Sequence, residues 1–146
     1  MNILLVEDDY LLGRGTARLL EKLGEHRVRL THKAADVFRI CESGGTDLVI
    51  MDINLPGTIW QGKEVTGVDL SRMLKSHETT AHLPIVLLTG HATQADRIRF
   101  LSEALADELW TKPIDDYAAF LTVLANVYAG HSAHGLSGHG FKASAS

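Results

Sequence analysis

Short, wholly apolar runs separated by stretches of helical periodicity are the feature that most narrows what this chain can fold into. LVIM at 48–51 and IVLL at 85–88 contain no polar residue. Runs of that length and purity suit strands buried on both faces, as in a parallel sheet covered by helices. Ile3 to Val6, Val28 to Leu30 and Leu109 to Trp110 are further strand candidates. Between them apolar residues recur at helical spacing: Leu12, Thr16, Leu19 and Leu23; Val37, Ile40 and Cys41; Leu70, Met73 and Leu74; Ile98, Leu101 and Leu105; and Phe120, Leu121, Leu124 and Val127. The alternation predicts five βα units.

Right-handed crossovers then lead to a three-layer α/β/α sandwich, with the flavodoxin-like (βα)5 arrangement and parallel strand order 2-1-3-4-5 as the expected fold. A length of 146 residues with 45% apolar composition is enough for one core and short for two. After Gly130 the composition shifts to HSAHGLSGHGFKASAS, which lacks the apolar surface to fold alone. The expected organisation is a domain over 1–129 and a Gly/Ser/His-rich tail over 130–146. His131, His134 and His139 are candidate metal ligands, but their irregular spacing favours a solvated tail. With no further domain following, the sequence reads either as a stand-alone unit or as a piece of a longer protein.

Net charge is −4, and no basic cluster is visible beyond scattered pairs such as Arg97 and Arg99. Direct nucleic-acid binding is therefore not expected. The single cysteine, Cys41, cannot form an intramolecular disulfide. Without a secretory signal or an apolar stretch of about eighteen residues, the expectation is a cytoplasmic protein with no membrane insertion.

The chemistry stands at the strand ends. Glu7 and Asp8 follow NILLV, Asp52 follows LVIM, Thr89 follows IVLL, and Lys112 lies just past Trp110. Parallel strands would bring these groups to the carboxyl edge of the sheet, where open α/β folds bind ligands. Three crowded acids are costly without a cation, and magnesium prefers few carboxylates completed by water and phosphate oxygens. Each residue alone also has a plain structural explanation. Asp8 or Asp9 can cap a helix beginning near Tyr10, Thr89 or Thr93 can cap the next one, and Lys112 can be solvated. Asp52 is harder to explain this way, because DINLPG sets an acid at a strand end with Asn54 two positions on and Pro56-Gly57 closing the turn. In combination, Lys112 offers a mobile ammonium for a carboxylate or for phosphate oxygens, and Thr89 a hydroxyl donor to the same oxygens.

From Met1 to about Gly130 the sequence is similar to bacterial receiver domains of response regulators, on the set LLVEDD, DLVIMDINLPG, PIVLLTG and LWTKP. The resemblance implies a signalling protein rather than an enzyme, in which Asp52 accepts a phosphoryl group from a sensor histidine kinase or a histidine phosphotransfer protein and loses it slowly. It implies Mg²⁺ bound directly by Asp8 and Asp52, by Glu7 through water and by the Asn54 backbone carbonyl, with Thr89 and Lys112 binding the acyl phosphate. It further implies a conformational switch that controls an unknown downstream protein through the face of helix 4, strand 5 and helix 5, which can also support a homodimer. Asn54 and His91 would flank the path of the hydrolytic water. Alternatives are a phosphorelay intermediate, a receiver-like scaffold that works without phosphorylation, and a Mg²⁺-dependent phosphatase with an Asp nucleophile. Phosphatases of the haloacid-dehalogenase type carry a second Asp where this chain has Asn54, which disfavours the last.

Two features depart from the family pattern. The position three before the lysine, usually an aromatic that changes rotamer with the switch, is Leu109, and strand alternation points the neighbouring Trp110 to the opposite face. The segment GTIWQGKEVT at 57–66 is longer than the usual connection there. Its Ile59 and Trp60 either anchor the loop on the domain or recognise a partner.

Overall fold

A computed structural model describes residues 1–137 of the chain, with side chains described to His131. Strands β3 (Leu48–Asp52) and β6 (Ile85–Thr89) are buried at every residue, as their unbroken apolar runs require. They pair in parallel and are flanked by β1 (Asn2–Val6) and β2 (Arg27–Thr31) on one side and by β7 (Glu108–Thr111) on the other, while β4 (Ile59–Trp60) and β5 (Lys63–Glu64) form a separate pair. All pairings in this sheet are parallel, and its order is β2-β1-β3-β6-β7. Counted along this sheet alone, that is the expected order 2-1-3-4-5.

Side chains alternate across the sheet into two cores. Ile3, Leu5, Ile50, Val86 and Leu88 meet α1 (Tyr10–Gly24) and α5 (Tyr117–Ser137) through Leu20, Phe120 and Leu124. Leu4, Val6, Val49, Met51 and Leu87 face α2 (Ala34–Glu42), α3 (Gly67–Ser76) and α4 (Gln94–Ala104) through Val37, Leu70, Leu74 and Ala104. Each large side chain fully withdrawn from water contributes about 1.5–3 kcal/mol before entropy is counted. Leu109 belongs to the second core, while Trp110 packs edge-on against Phe120 in the first, ring centroids 5.2 Å apart. The two neighbours thus point to opposite faces, as strand alternation predicts.

The helices form where the periodicity placed them, but α1 presents a different stripe to the sheet. Gly13, Thr16, Ala17 and Leu20 are buried, whereas Leu12, Leu19 and Leu23 are exposed. Small residues let α1 lie close: a Cβ on Gly13 would stand 2.8 Å from a Leu30 methyl. In α4 likewise Ala104 is buried and Ile98 is exposed, as is Leu105 just past its end.

The segment 57–66 folds as an antiparallel hairpin of β4 (Ile59–Trp60) and β5 (Lys63–Glu64). Gln61 and Gly62 both have positive φ, 52° and 79°, the signature of a tight two-residue turn whose twist matches the strands. Trp60 stacks on Phe38 of α2, ring centroids 4.5 Å apart, while Ile59 stays exposed. Trp60 therefore anchors the insertion on the domain.

Helix α5 continues past Gly130 to Ser137, so the expected boundary at 129/130 falls inside a helix. His131 lies 3.2 Å from an Asp107 carboxylate oxygen and 3.4 Å from the Lys75 ammonium, on the packed surface rather than in solvent. The side chain of His134, and His139 altogether, lie outside the described residues.

Candidate functional site

Because β1, β3, β6 and β7 are adjacent and parallel, their carboxyl ends deliver Glu7, Asp52, Thr89 and Lys112 to one edge of the sheet. Backbone bonds tie these ends together. Ile53 N–H donates to the Leu88 carbonyl at 2.9 Å, and Lys112 N–H donates to that of Thr89 at 2.7 Å.

Lys112 is the hub. Its ammonium donates to Asp52 Oδ2 at 2.8 Å and to Glu7 Oε1 at 3.3 Å, joining residues from three strand ends. Asp52 is 1% and Glu7 4% exposed, so both carboxylates depend on these bonds for solvation. The other Asp52 oxygen accepts from Asn54 N–H at 3.1 Å, and Glu7 Oε2 accepts from Asp9 N–H at 3.1 Å. Burial first, and then the Asp52 carboxylate beside it, push the Glu7 carboxyl up to about 7, against the pull of the Asp9 N–H and Lys112. For Lys112, burial acts to lower the pKa, but the hydrogen bond and charge of Asp52, joined by Glu7, prevail and hold it above the usual lysine range.

The plain structural explanations divide among neighbouring residues. Asp9 is the cap of α1, its side chain accepting from Leu12 N–H at 3.0 Å. Asp8 is exposed, and its carboxylate has no hydrogen bond among the described residues. Thr93, in a reciprocal pair with Asp96, caps α4. Thr89 is thereby released from capping; its buried hydroxyl donates to the His91 carbonyl at 3.1 Å. The Asn54 and His91 side chains are both exposed at this rim. Lys112 is bonded rather than simply solvated.

Among the described residues no three His, Cys, Asp or Glu side chains are gathered ready to hold a metal ion, and Lys112 takes the bonds of both buried carboxylates. The donor chemistry nevertheless fits a small hard cation. Asp8 offers an unengaged carboxylate, and two nearly buried acids share one ammonium, an excess of negative charge that a cation would neutralise.

A contact between Gly67 and the end of β3 has little signal in the sequence. Gly67 N–H donates to the Ile53 carbonyl at 2.9 Å, and a Cβ on Gly67 would meet the Asp52 backbone. The only signal in the sequence is a glycine placed directly after the Thr66 cap of α3.

Comparison with known proteins places this geometry in a family. The model of the response regulator receiver domain matches residues 3–123. The chain is 38% identical over 77 residues to the response regulator PleD of Caulobacter vibrioides, a match that covers 53% of this chain and 15% of PleD. It is 36% identical over 118 residues to the swarming motility regulation protein RssB of Serratia marcescens, covering 77% of this chain and 47% of RssB. It thus spans less than half the length of these two relatives. The polar-differentiation response regulator DivK of Brucella ovis is 27% identical over 113 residues, with 77% of this chain and 85% of DivK covered. The crystal structure of the receiver domain of a sensor histidine kinase from Pseudomonas aeruginosa, with a magnesium ion coordinated in its active site cleft, superposes with a TM-score of 0.72 at 28% identity, covering 88% of this chain and 97% of that one. A CheY-like receiver domain protein from Methanospirillum hungatei shares the fold, with a TM-score of 0.72 at 23% identity and 91% and 97% covered.

Proposed function

Since this chain belongs to the response regulator receiver domain family, a family of two-component signalling proteins rather than classical enzymes, we propose that it accepts a phosphoryl group on Asp52 and switches conformation to control a partner. The observation that carries this reading is the bridge from Lys112 to Asp52 and Glu7, which poises a carboxylate and a mobile cation at one strand edge.

An Asp52 carboxylate oxygen attacks the phosphorus of a phosphohistidine on a sensor kinase or phosphotransfer protein. The new O–P bond forms as the P–N bond breaks, and the electron pair leaves with the imidazole nitrogen. The Asn54 N–H holds the carboxylate rotamer through this step. Lys112 then turns from the Asp52 carboxylate to the phosphoryl oxygens, a move open to a flexible ammonium. When bound, magnesium would be held by Asp8, Asp52, the Asn54 carbonyl and, through water, Glu7, and it supplies charge neutralisation at the phosphoryl oxygens.

The Thr89 hydroxyl can bond a phosphoryl oxygen only by leaving the His91 carbonyl. That exchange releases the β6–α4 turn and biases the face of α4, β7 and α5 toward its partner-binding state, or toward a homodimer. Leu109, buried in the core, excludes the aromatic rotamer route, so the Thr89–His91 exchange carries the switch.

Intact-protein mass after incubation with Mg²⁺ and a small phosphoryl donor tests the proposal. One added phosphoryl group, absent in Asp52→Asn and lost slowly, is the expected result. No adduct and no donor consumption would favour the phosphorylation-independent scaffold, and rapid donor consumption without an adduct would favour a phosphatase.

A further inference from the structure

Cations are distributed unevenly over this acidic molecule. Arg97, Arg99, Lys75 and Lys112 are each paired with a carboxylate. Arg14, Arg18, Lys22, Arg27, Arg29 and Lys33 are exposed, and none stands in a direct ion pair among the described residues, although the Lys33 charge helps hold the Asp36 carboxyl below its usual range. They are spread through the sequence from 14 to 33, and the fold carries Arg14, Arg18 and Lys22 on α1, Arg27 and Arg29 on the edge strand β2, and Lys33 just ahead of α2. Arg27 and Arg29 have a ready explanation, since charge on an edge strand blocks unwanted pairing. Arg14, on α1, and Lys33, ahead of α2, are not on that edge.

Arg14 and Lys33 instead line a cavity of about 400 Å³ between the start of α1 and the β2–α2 connection. Tyr10, 62% exposed, lies at one side, its hydroxyl accepting from Arg14 Nη1 at 2.9 Å. Leu30 adds an apolar surface, and His32 joins the rim. The lining also includes Glu7, Thr31 and Asp36, and the Thr31 hydroxyl donates to Asp36 Oδ2 at 3.0 Å. The cavity therefore offers cations, an aromatic ring, an apolar surface and acceptor oxygens within one volume. Such a combination recognises an anion attached to a flat, hydrogen-bonding body. Inorganic phosphate alone would leave most of the volume unfilled.

We propose that this cavity is a binding site for a small phosphorylated aromatic ligand with the size and chemistry of a nucleoside monophosphate. The phosphate sits against Arg14 and Lys33, and the ring lies on Tyr10 and Leu30. The Asp36 carboxylate is already bonded by Arg39 at 3.1 Å and by Thr31 at 3.0 Å, and its remaining lone pairs accept from ligand hydroxyl or amino groups, which sets the orientation. The site stands independently of the phosphoacceptor role of Asp52, and an occupant would also touch Glu7, the residue bonded to Lys112.

Calorimetric titration of the full chain with AMP and GMP, and separately with adenosine and with inorganic phosphate, tests this. Saturable one-to-one binding of a monophosphate is expected, tighter than either component by about tenfold or more and weakened by about tenfold or more in Arg14→Ala and in Lys33→Ala. Lys22→Ala, on the same helix as Arg14 but outside the cavity, should leave it unchanged, and thermal melts verify that all three variants fold. Absence of saturable binding to either nucleotide, inorganic phosphate binding as tightly as the nucleotide, or nucleotide affinity that survives both cavity substitutions would each overturn the proposal.

Discussion

A Cβ on Gly67 would lie 2.0 Å from the backbone carbonyl oxygen of Asp52, closer than any two such atoms can stand. The start of α3 and the carboxyl end of β3 are thus in backbone contact that only glycine permits. Gly67→Ala must move one of them, at a cost of about 1–3 kcal/mol or more. Urea unfolding should show that loss, and the displaced strand end should also slow phosphoryl acceptance at Asp52. A variant as stable as wild type would mean that α3 can shift freely, contrary to this packing.

Lys112→Ala removes the cation shared by two nearly buried carboxylates. Its partial exposure moderates the effect, and a destabilisation of about 1–3 kcal/mol is expected at pH 8. The loss should shrink at pH 5, because burial and Asp52 push Glu7 to about 7 and below that value it takes up a proton. Denaturation midpoints at the two pH values check this; an equal loss at both would show that Glu7 charge is not what Lys112 balances.

Trp60 and Phe38 form the contact that holds the hairpin to α2. Trp60→Ala should cost about 1–2 kcal/mol, and a double-mutant cycle with Phe38→Ala should return a coupling of about 0.5–1.5 kcal/mol. A coupling near zero would assign the hairpin's conformation to its own turn instead.

Burial, reinforced by the neighbouring Glu42 charge, pushes the Cys41 thiol up to about 12. Alkylation by iodoacetamide at pH 8 should be slower in the native protein than in urea by about a hundredfold or more, since both thiolate fraction and access are suppressed. Comparable rates in the two states would contradict the packing of α2 against the sheet.

Much of the architecture was legible because its signals are local. Four pure apolar residues in LVIM or IVLL, short and closely followed by turn residues, suit a two-sided strand, and a chemical group directly after such a run lands at the carboxyl edge. Alternation alone sends Leu109 and Trp110 to opposite faces, and they lie in separate cores. The hairpin at 59–64 was not foreseen as a hairpin, although Gly62 two residues after Trp60 is a turn signal. Of the stripe Leu12, Thr16, Leu19 and Leu23 that periodicity indicates for α1, only Thr16 is buried. Leucines at 12, 19 and 23 suggest one apolar face, but the sheet accepts Gly13, Thr16 and Ala17 because small side chains allow close approach.

By itself the sequence determined the order of strands and helices, the parallel sandwich, and the set of acid, hydroxyl and ammonium groups at its edge, since each depends on residues within one turn or one strand. Only the tertiary structure decided that Lys112 bonds both Asp52 and Glu7, that Asp9 rather than Asp8 caps α1, that Trp60 rests on Phe38, and that Arg14 and Lys33 line one cavity. Those outcomes depend on distances between segments far apart in the chain, which packing sets and local periodicity does not encode.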